Sequence, residues 1–232
     1  LRVIELHHLS YRQAWSEQER LHSEIVEGGE AAFVLVEHSP VITMGRRGET
    51  LGVTNLRASA EVLEQRGIEF VQTDRGGDIT FHGPGQLVAY PIIKIIDFKL
   101  SVGAYVRLLQ DVVIQTLSDF HITGQTDDAG IGVWVNLPPH HALGSGADLP
   151  RTLSKVCAFG VRVKQGVTLH GLALNVTTDL SYYDLIVPCG IADKSMTSMQ
   201  QILGESCPPM AHVKARLAAN LSLALEARRK SA

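Results

Sequence analysis

Four glycines and a proline fall within the twelve residues from Arg75 to Gln86. No helix or regular strand can run through such a stretch, so the chain must break there twice. Gly76 and Gly77 let the backbone adopt positive φ or approach another atom closely. Gly83-Pro84-Gly85 marks a turn. Between the breaks, Ile79, Thr80, Phe81 and His82 form a short β-like piece. The stretch therefore reads as loop, short strand, turn, and it presents Arg75, Thr80, His82 and Gln86. A tight structural connection with solvent-facing polar groups accounts for it equally well, although loops on a rigid scaffold often carry function.

The flanking chain supplies that scaffold. Residues Arg2 to Leu6 alternate like a strand. Ser10 with Gln13 fits a capping box, and Tyr11, Ala14, Trp15, Leu21 and Ile25 then mark one helical face ending at Gly28-Gly29. Ala31–Glu37 and Val41–Met44 read as strands around a turn at His38-Ser39-Pro40, followed by a basic loop, Gly45 to Gly48. Leu56, Ala60 and Leu63 suggest a helix closed by Gly67. Ile68–Gln72 and Leu87–Ile96 read as strands, and Val102, Tyr105, Val106, Leu109, Val113 and Leu117 recur at helical spacing. Gly130–Val135 is a further strand. Lys155–Val163 and Thr168–Val176 flank Lys164-Gln165-Gly166 as a hairpin. Residues 136–151 are an insert-like loop, Val187–Gly190 is a turn, and Pro208-Pro209 opens a last helix. Strands outnumber helices and several are hairpin-connected. The expectation is one α+β domain over residues 1–232, a mixed sheet covered by helices.

Bulk properties narrow the function classes. The chain has 232 residues, a formal charge of −3 and 45% hydrophobic residues, an ordinary globular composition. Such a charge argues against general nucleic-acid binding, which needs a basic face. No apolar run is long enough to span a bilayer, and the first residues do not resemble a signal peptide. Cys157, Cys189 and Cys207 are widely spaced and form no CxxC pair. A reducing, cytoplasmic setting is the simplest expectation.

Two residues stand out chemically. Cys189, in Val-Pro-Cys-Gly-Ile, sits on a sharp turn that can expose a thiol, whereas Cys157 lies inside an apolar strand. A reactive thiol needs a nearby cation or base. Lys155 opens an otherwise apolar strand. Strand-end lysines commonly snorkel to solvent; the functional alternative places its ammonium beside Cys189, where it stabilises a thiolate and then moves a proton. His82 and His170 are the other candidate bases. The His140-His141 pair lacks partners at ligand spacing and reads as a solvated loop, so no metal is expected. Gly144-Ser145-Gly146 lacks the third glycine of a dinucleotide loop. Arg46-Arg47 is a short basic pair able to meet an acidic partner.

Four segments in order, Arg75–Gln86, Lys155-Val-Cys-Ala-Phe-Gly160, His170-Gly-Leu-Ala-Leu-Asn175 and Pro188-Cys-Gly190, resemble the lipoyl(octanoyl) transferases, over about Val34 to Leu203. That resemblance implies a fold related to the lipoate and biotin protein ligases, with a smaller accessory sheet. It implies an acyltransferase that moves octanoyl from acyl carrier protein to a lysine of lipoyl domains, those of 2-oxoacid dehydrogenase complexes and of the glycine cleavage H protein. It implies no cofactor, and a monomer in the cytoplasm. Cys189 matches the family nucleophile and Lys155 the lysine that lowers its pKa. Arg75, Gly76, Gly77, Asp78, Ile79, Thr80, Phe81 and His82 match segments lining the acyl site, as do Ala158, Phe159, Gly160, Gly171, Leu172 and Ala173. The long 136–151 segment departs from the short hairpin turn expected there. The competing readings are an ATP-dependent lipoate or biotin ligase, in which Lys155 binds an adenylate phosphate, and a non-catalytic module that binds a carrier or lipoyl domain.

Overall fold

The computed structural model describes residues 1–51, 55–128, 130–137, 152–187 and 195–230. The chain runs β1 (Arg2–Leu9), α1 (Tyr11–Val26), β2 (Ala32–His38), β3 (Val41–Met44), α2 (Arg46–Leu51), α3 (Ala60–Gln65), β4 (Glu69–Gln72), β5 (Ile79–His82) and β6 (Gln86–Ile92). It continues through a 3-10 turn (Ile95–Phe98), α4 (Val102–Ser118), β7 (Gly124–Gln125), β8 (Gly132–Leu137), β9 (Thr152–Lys164), β10 (Val167–Asn175), a second 3-10 turn (Leu180–Leu185), α5 (Met199–Leu203) and α6 (Met210–Lys230). The fold is α+β, as the alternation of patterns implied.

Seven strands form the main sheet in the order β1-β2-β6-β10-β9-β8-β7, and β4-β3-β5 form a smaller one. In the main sheet only β1 and β2 run parallel; the other neighbours are antiparallel. Period-two alternation sorts the side chains to two faces. Phe33, Leu35, Leu87, Ala89, Leu172 and Leu174 bury against Tyr105, Leu109, Val113 and Leu117 of α4 and Val213, Leu217, Leu221 and Leu225 of α6. Val34, Val36, Val88, Tyr90 and Ala173 point the other way, toward Ala14, Leu21 and Ile25 of α1. Helix α1 begins at the capping box read from sequence, with Ser10 and Gln13 each bonding back to the other.

Several boundaries differ from expectation. The Gly45–Gly48 loop is instead the entry to α2. There the N–H groups of Gly45, Arg46 and Arg47 donate to the carbonyls of Asp78, Arg75 and Gly77, contacts no local pattern reveals. Leu56 is not on the α3 face; it bridges Ile186, and α3 starts after its Ser59 cap. β6 stops at Ile92 rather than continuing to Ile96, because Lys94 bridges Val167 and Lys99 takes the left-handed conformation that closes the 3-10 turn. Asn136 and Leu137, assigned to the loop, extend β8 by pairing with Leu153 and Thr152; residues 138–151 lie outside the described residues. The expected hairpin is present. Gln165 and Gly166 both have positive φ (50° and 76°), the conformation of a two-residue turn that follows strand twist.

Candidate active site

On the α1 side of the sheet, β9 and β10 place four nearly side-chain-free residues together. Ala158 pairs with Ala173 and Gly160 with Gly171. Larger residues here would fill the space between the sheet and the chain that crosses it. The result is an apolar trough roofed by the Arg75–His82 stretch. Its lining includes Arg75, Gly77, Asp78, Ile79, Thr80, His82, Ala158, Phe159, Gly160, Gly171, Leu172 and Ala173. Of the expected site residues, Gly76 and Phe81 do not line the cavity. Gly76 donates its N–H to Val161 O at 3.1 Å, tying the roof to β9. Phe81 stacks on Tyr182 with ring centroids 4.4 Å apart, in a separate core under the small sheet.

Glycine is required where roof meets floor. A Cβ on Gly160 would lie 2.8 Å from Gly76 O and 3.0 Å from Arg75 Cδ. A Cβ on Gly171 would lie 2.1 Å from Ala89 O, so β6 and β10 approach more closely there than any side chain allows.

Lys155 reaches this cavity through a β-bulge. The β8–β9 register shifts so that Val133 faces Cys157 while the next residue, Trp134, faces Lys155. The extra residue is Val156, and both Val156 and Cys157 point into the α4–α6 core. Lys155 is thereby turned to the cavity face, as bulges often re-aim a side chain. It is 5% exposed, with Nζ 3.3 Å from Ile131 O and 4.5 Å from the Trp134 ring centroid. Its backbone is fixed too: Lys155 N donates to Ser195 O and Thr197 N donates to Lys155 O, both at 2.9 Å.

Pro188, Cys189 and Gly190 lie outside the described residues. The chain on either side is anchored to the site. Val187 N donates to Asn55 O at 2.7 Å, and Asn55 Nδ2 donates to Asp78 Oδ2 at 2.6 Å. Met196, just downstream, lines the cavity beside Lys155. Of the other thiols, Cys157 is fully buried, which pushes its pKa far up; Cys207 is also raised by burial. Neither has the setting of a nucleophile.

A buried polar network holds the roof. Arg75 donates from Nη2 to Thr43 O (2.7 Å) and Oγ1 (2.9 Å), and from Nη1 to Gly76 O (3.0 Å). Gln86 Nε2 donates to Phe81 O and to Asn175 Oδ1, so its Oε1 accepts from His82 Nδ1–H at 2.7 Å. The other ring nitrogen of His82, Nε2, then accepts from the Thr43 hydroxyl. Burial, with His38 and Arg75 nearby, holds His82 well below the usual histidine pKa. Asn175 Nδ2 continues the chain to Thr197 O at 3.0 Å.

His170 is likewise committed. Its pKa falls to about 3 through burial and the nearby Arg75 and Arg162. In this neutral ring Nε2–H donates to Asp74 Oδ1 at 2.7 Å, and Nδ1 accepts from the Tyr11 hydroxyl at 3.4 Å. The lone pairs of both histidines expected as candidate bases are therefore occupied. Lys155, also of the expected set, lines the same cavity with its Nζ donating to Ile131 O.

Sequence reasoning missed Tyr11, Val88, Tyr90, Ile131 and Met196 in the lining. Tyr11 and Tyr90 carry the periodicity of core residues, and both are buried; nothing in their spacing marks them as site residues. Among the described residues no group of three His, Cys, Asp or Glu could hold a metal ion, and no helix is long and apolar enough to cross a membrane.

The chain matches the lipoyl protein ligase A/B catalytic domain over residues 10–222. It is 44% identical over 224 residues to an octanoyltransferase of Chloroflexus aggregans, covering 95% of this chain and 93% of the relative. It is 44% identical to one from Koribacter versatilis, covering 89% and 77%. A lipoate-protein ligase A crystallised with ATP superposes with a TM-score of 0.72 at 14% identity, covering 97% of this chain and 85% of that one, a likeness of fold. This chain belongs to the lipoyl protein ligase A/B catalytic domain family and, within it, to the octanoyltransferases.

Proposed function

We propose that this protein transfers an octanoyl group from an acyl-carrier thioester to a lysine of a lipoyl domain, through an acyl-thioester on Cys189. The observation that carries the reading is Lys155: a bulge turns its ammonium to the mouth of an apolar trough, in a chain whose relatives are octanoyltransferases. In the first step the Cys189 thiolate bonds to the acyl carbonyl carbon, the carrier C–S bond breaks, and the Lys155 ammonium gives a proton to the departing sulfur, releasing the carrier thiol and leaving Lys155 neutral. In the second, the acceptor amine bonds to that carbon, the Cys189 C–S bond breaks, and Lys155 relays the amine proton to the departing sulfur. Arg75, Gly76, Gly77, Asp78, Ile79, Thr80, Phe81 and His82 form and support the roof of the acyl slot. Ala158, Phe159, Gly160, Gly171, Leu172 and Ala173 form its floor, where each buried methylene contributes ~0.8 kcal/mol.

Neither step consumes ATP, in contrast to a ligase. The donor is octanoyl-acyl carrier protein, and the acceptors are lipoyl domains of 2-oxoacid dehydrogenase complexes and the glycine cleavage H protein, in the cytoplasm. The exposed Arg46 and Arg47, whose N–H groups dock on the roof loop, suit an acidic carrier. Incubation with octanoyl-carrier protein without ATP, followed by intact mass, tests the reading. An octanoyl adduct is expected, absent in Cys189→Ser. No adduct, together with ATP-dependent transfer of the free acid, overturns it.

A further inference from the structure

The strand opposite Lys155 is shaped around that lysine and not merely packed against it. Three features of one short segment converge on its side chain. Ile131 O accepts from Nζ at 3.3 Å. The Trp134 ring, 1% exposed, presents its face to Nζ at 4.5 Å. Between them Gly132 supplies room: a Cβ there would lie 2.7 Å from Lys155 Cε, 3.2 Å from Trp134 Nε1 and 3.2 Å from Cys157 O. The lysine stem thus lies across a residue that has no side chain, with its charged end between a carbonyl and an aromatic face.

We infer that Trp134 and Gly132 are positioning residues for the transfer reaction: the indole face and the gap beside it fix the Lys155 ammonium and favour its charged form. The inference rests on the reading of Lys155 given under Proposed function. An aromatic face attracts a cation and has no comparable attraction for a neutral amine. A carbonyl acceptor also favours the ammonium, which has only donors to offer. At 5% exposure the lysine has little water to do the same work. A buried tryptophan that served only as packing would need its shape and not the electrons of its ring.

Shape and electrons can be separated. Fluorotryptophans carrying one to four fluorines, placed at position 134 alone by nonsense suppression, keep the indole outline while draining its face. The measured quantity is the rate of Cys189 alkylation by iodoacetamide as a function of pH, with octanoyl transfer followed in parallel. Each added fluorine is expected to slow alkylation at pH 7 and move the profile toward higher pH. The most fluorinated form should react at least tenfold more slowly, with KM for the carrier unchanged. Gly132→Ala, which displaces the flexible end of Lys155, should give a similar loss while its melting temperature stays near that of the parent. Lys155→Met is the reference. If Lys155→Met shifts the profile but fluorination leaves it flat, the inference fails and the reading of Lys155 stands. If Lys155→Met itself leaves the profile in place, both fall.

Discussion

Asp74 Oδ1 sits 2.7 Å from His170 Nε2, and the same carboxylate pairs through Oδ2 with Arg162. His170 meets it from within β10 at φ 58°, a left-handed conformation that few non-glycine residues adopt. His170 keeps its place in the ladder opposite Val161, and it lines the cavity. The histidine is a neutral donor in this arrangement, and that has a consequence for stability in acid.

Three buried histidines have folded pKa values below the ordinary 6.5: His38 at about 4, His170 at about 3, and His82 well below, each chiefly through burial. A depressed folded pKa means that the unfolded chain binds more protons below 6.5, so stability falls as the pH drops from about 6.5 toward 3. Each group contributes up to about 1.4 kcal/mol per pH unit in that window. The melting temperature should decline from pH 7 to pH 5, and His38→Gln should flatten that decline. A slope identical in the variant would remove His38 from the account.

Gln86 is fully buried at the centre of the roof network, joined to His82, Phe81, Asn175 and Tyr183. Gln86→Leu leaves the His82 Nδ1–H and the Phe81 carbonyl without this partner. Urea denaturation should show a loss of roughly 2–4 kcal/mol, from unsatisfied buried groups at about 1–3 kcal/mol each. A loss under about 0.5 kcal/mol would mean that the network contributes little.

Lys155→Ala should lower octanoyl transfer by about 10²–10⁴-fold, the usual range for a positioned proton-transfer group. The defect should appear in single-turnover acylation of Cys189 as well as in steady-state transfer. Normal acylation with slow transfer to the lipoyl domain would restrict the lysine to the second step.

Ala158 and Ala173 face each other across the floor, so Ala158→Leu adds three carbons to the trough. Competition between carrier-bound acyl chains should show roughly tenfold lower kcat/KM for octanoyl, in line with about 1–3 kcal/mol per displaced methylene. Butanoyl transfer should change much less. Equal losses for both chains would place the acyl group elsewhere.

Most of the main sheet was legible because its central strands are short apolar, β-prone runs bounded by turn residues and the hairpin turn at Gln165-Gly166 follows local rules; the two-residue β7 was too short to signal itself. Helices α1 and α4 were legible for the same reason: periodicity and capping are short-range properties. The roof and floor residues were found through the glycines of the Arg75 stretch and the resemblance of four segments to one family. What escaped has a common cause. Helix α2 depends on bonds from Gly45, Arg46 and Arg47 to carbonyls about thirty residues away. Tyr11 and Tyr90 enter the site from elements whose pattern says only that they are buried. The commitment of His82 and His170 depends on Gln86, Thr43, Tyr11 and Asp74, partners brought together by the fold. No spacing in the sequence signals that a histidine's lone pair is already taken.

In a strand of plain alternation, residues 155 and 157 share a face, and the Lys155 ammonium would stand over the Cys157 thiol. Val156, the one residue without a partner in the β8–β9 ladder, sends them to opposite sides of the sheet. The single insertion therefore separates the cation from the Cys157 thiol by the thickness of the sheet. Lys155 still pulls the Cys157 pKa down a little, but burial outweighs that pull and holds the thiol well above its ordinary value. Under the proposed reading, in which Cys189 carries the acyl group, the count of residues in a strand thus bears on which of two cysteines the lysine serves.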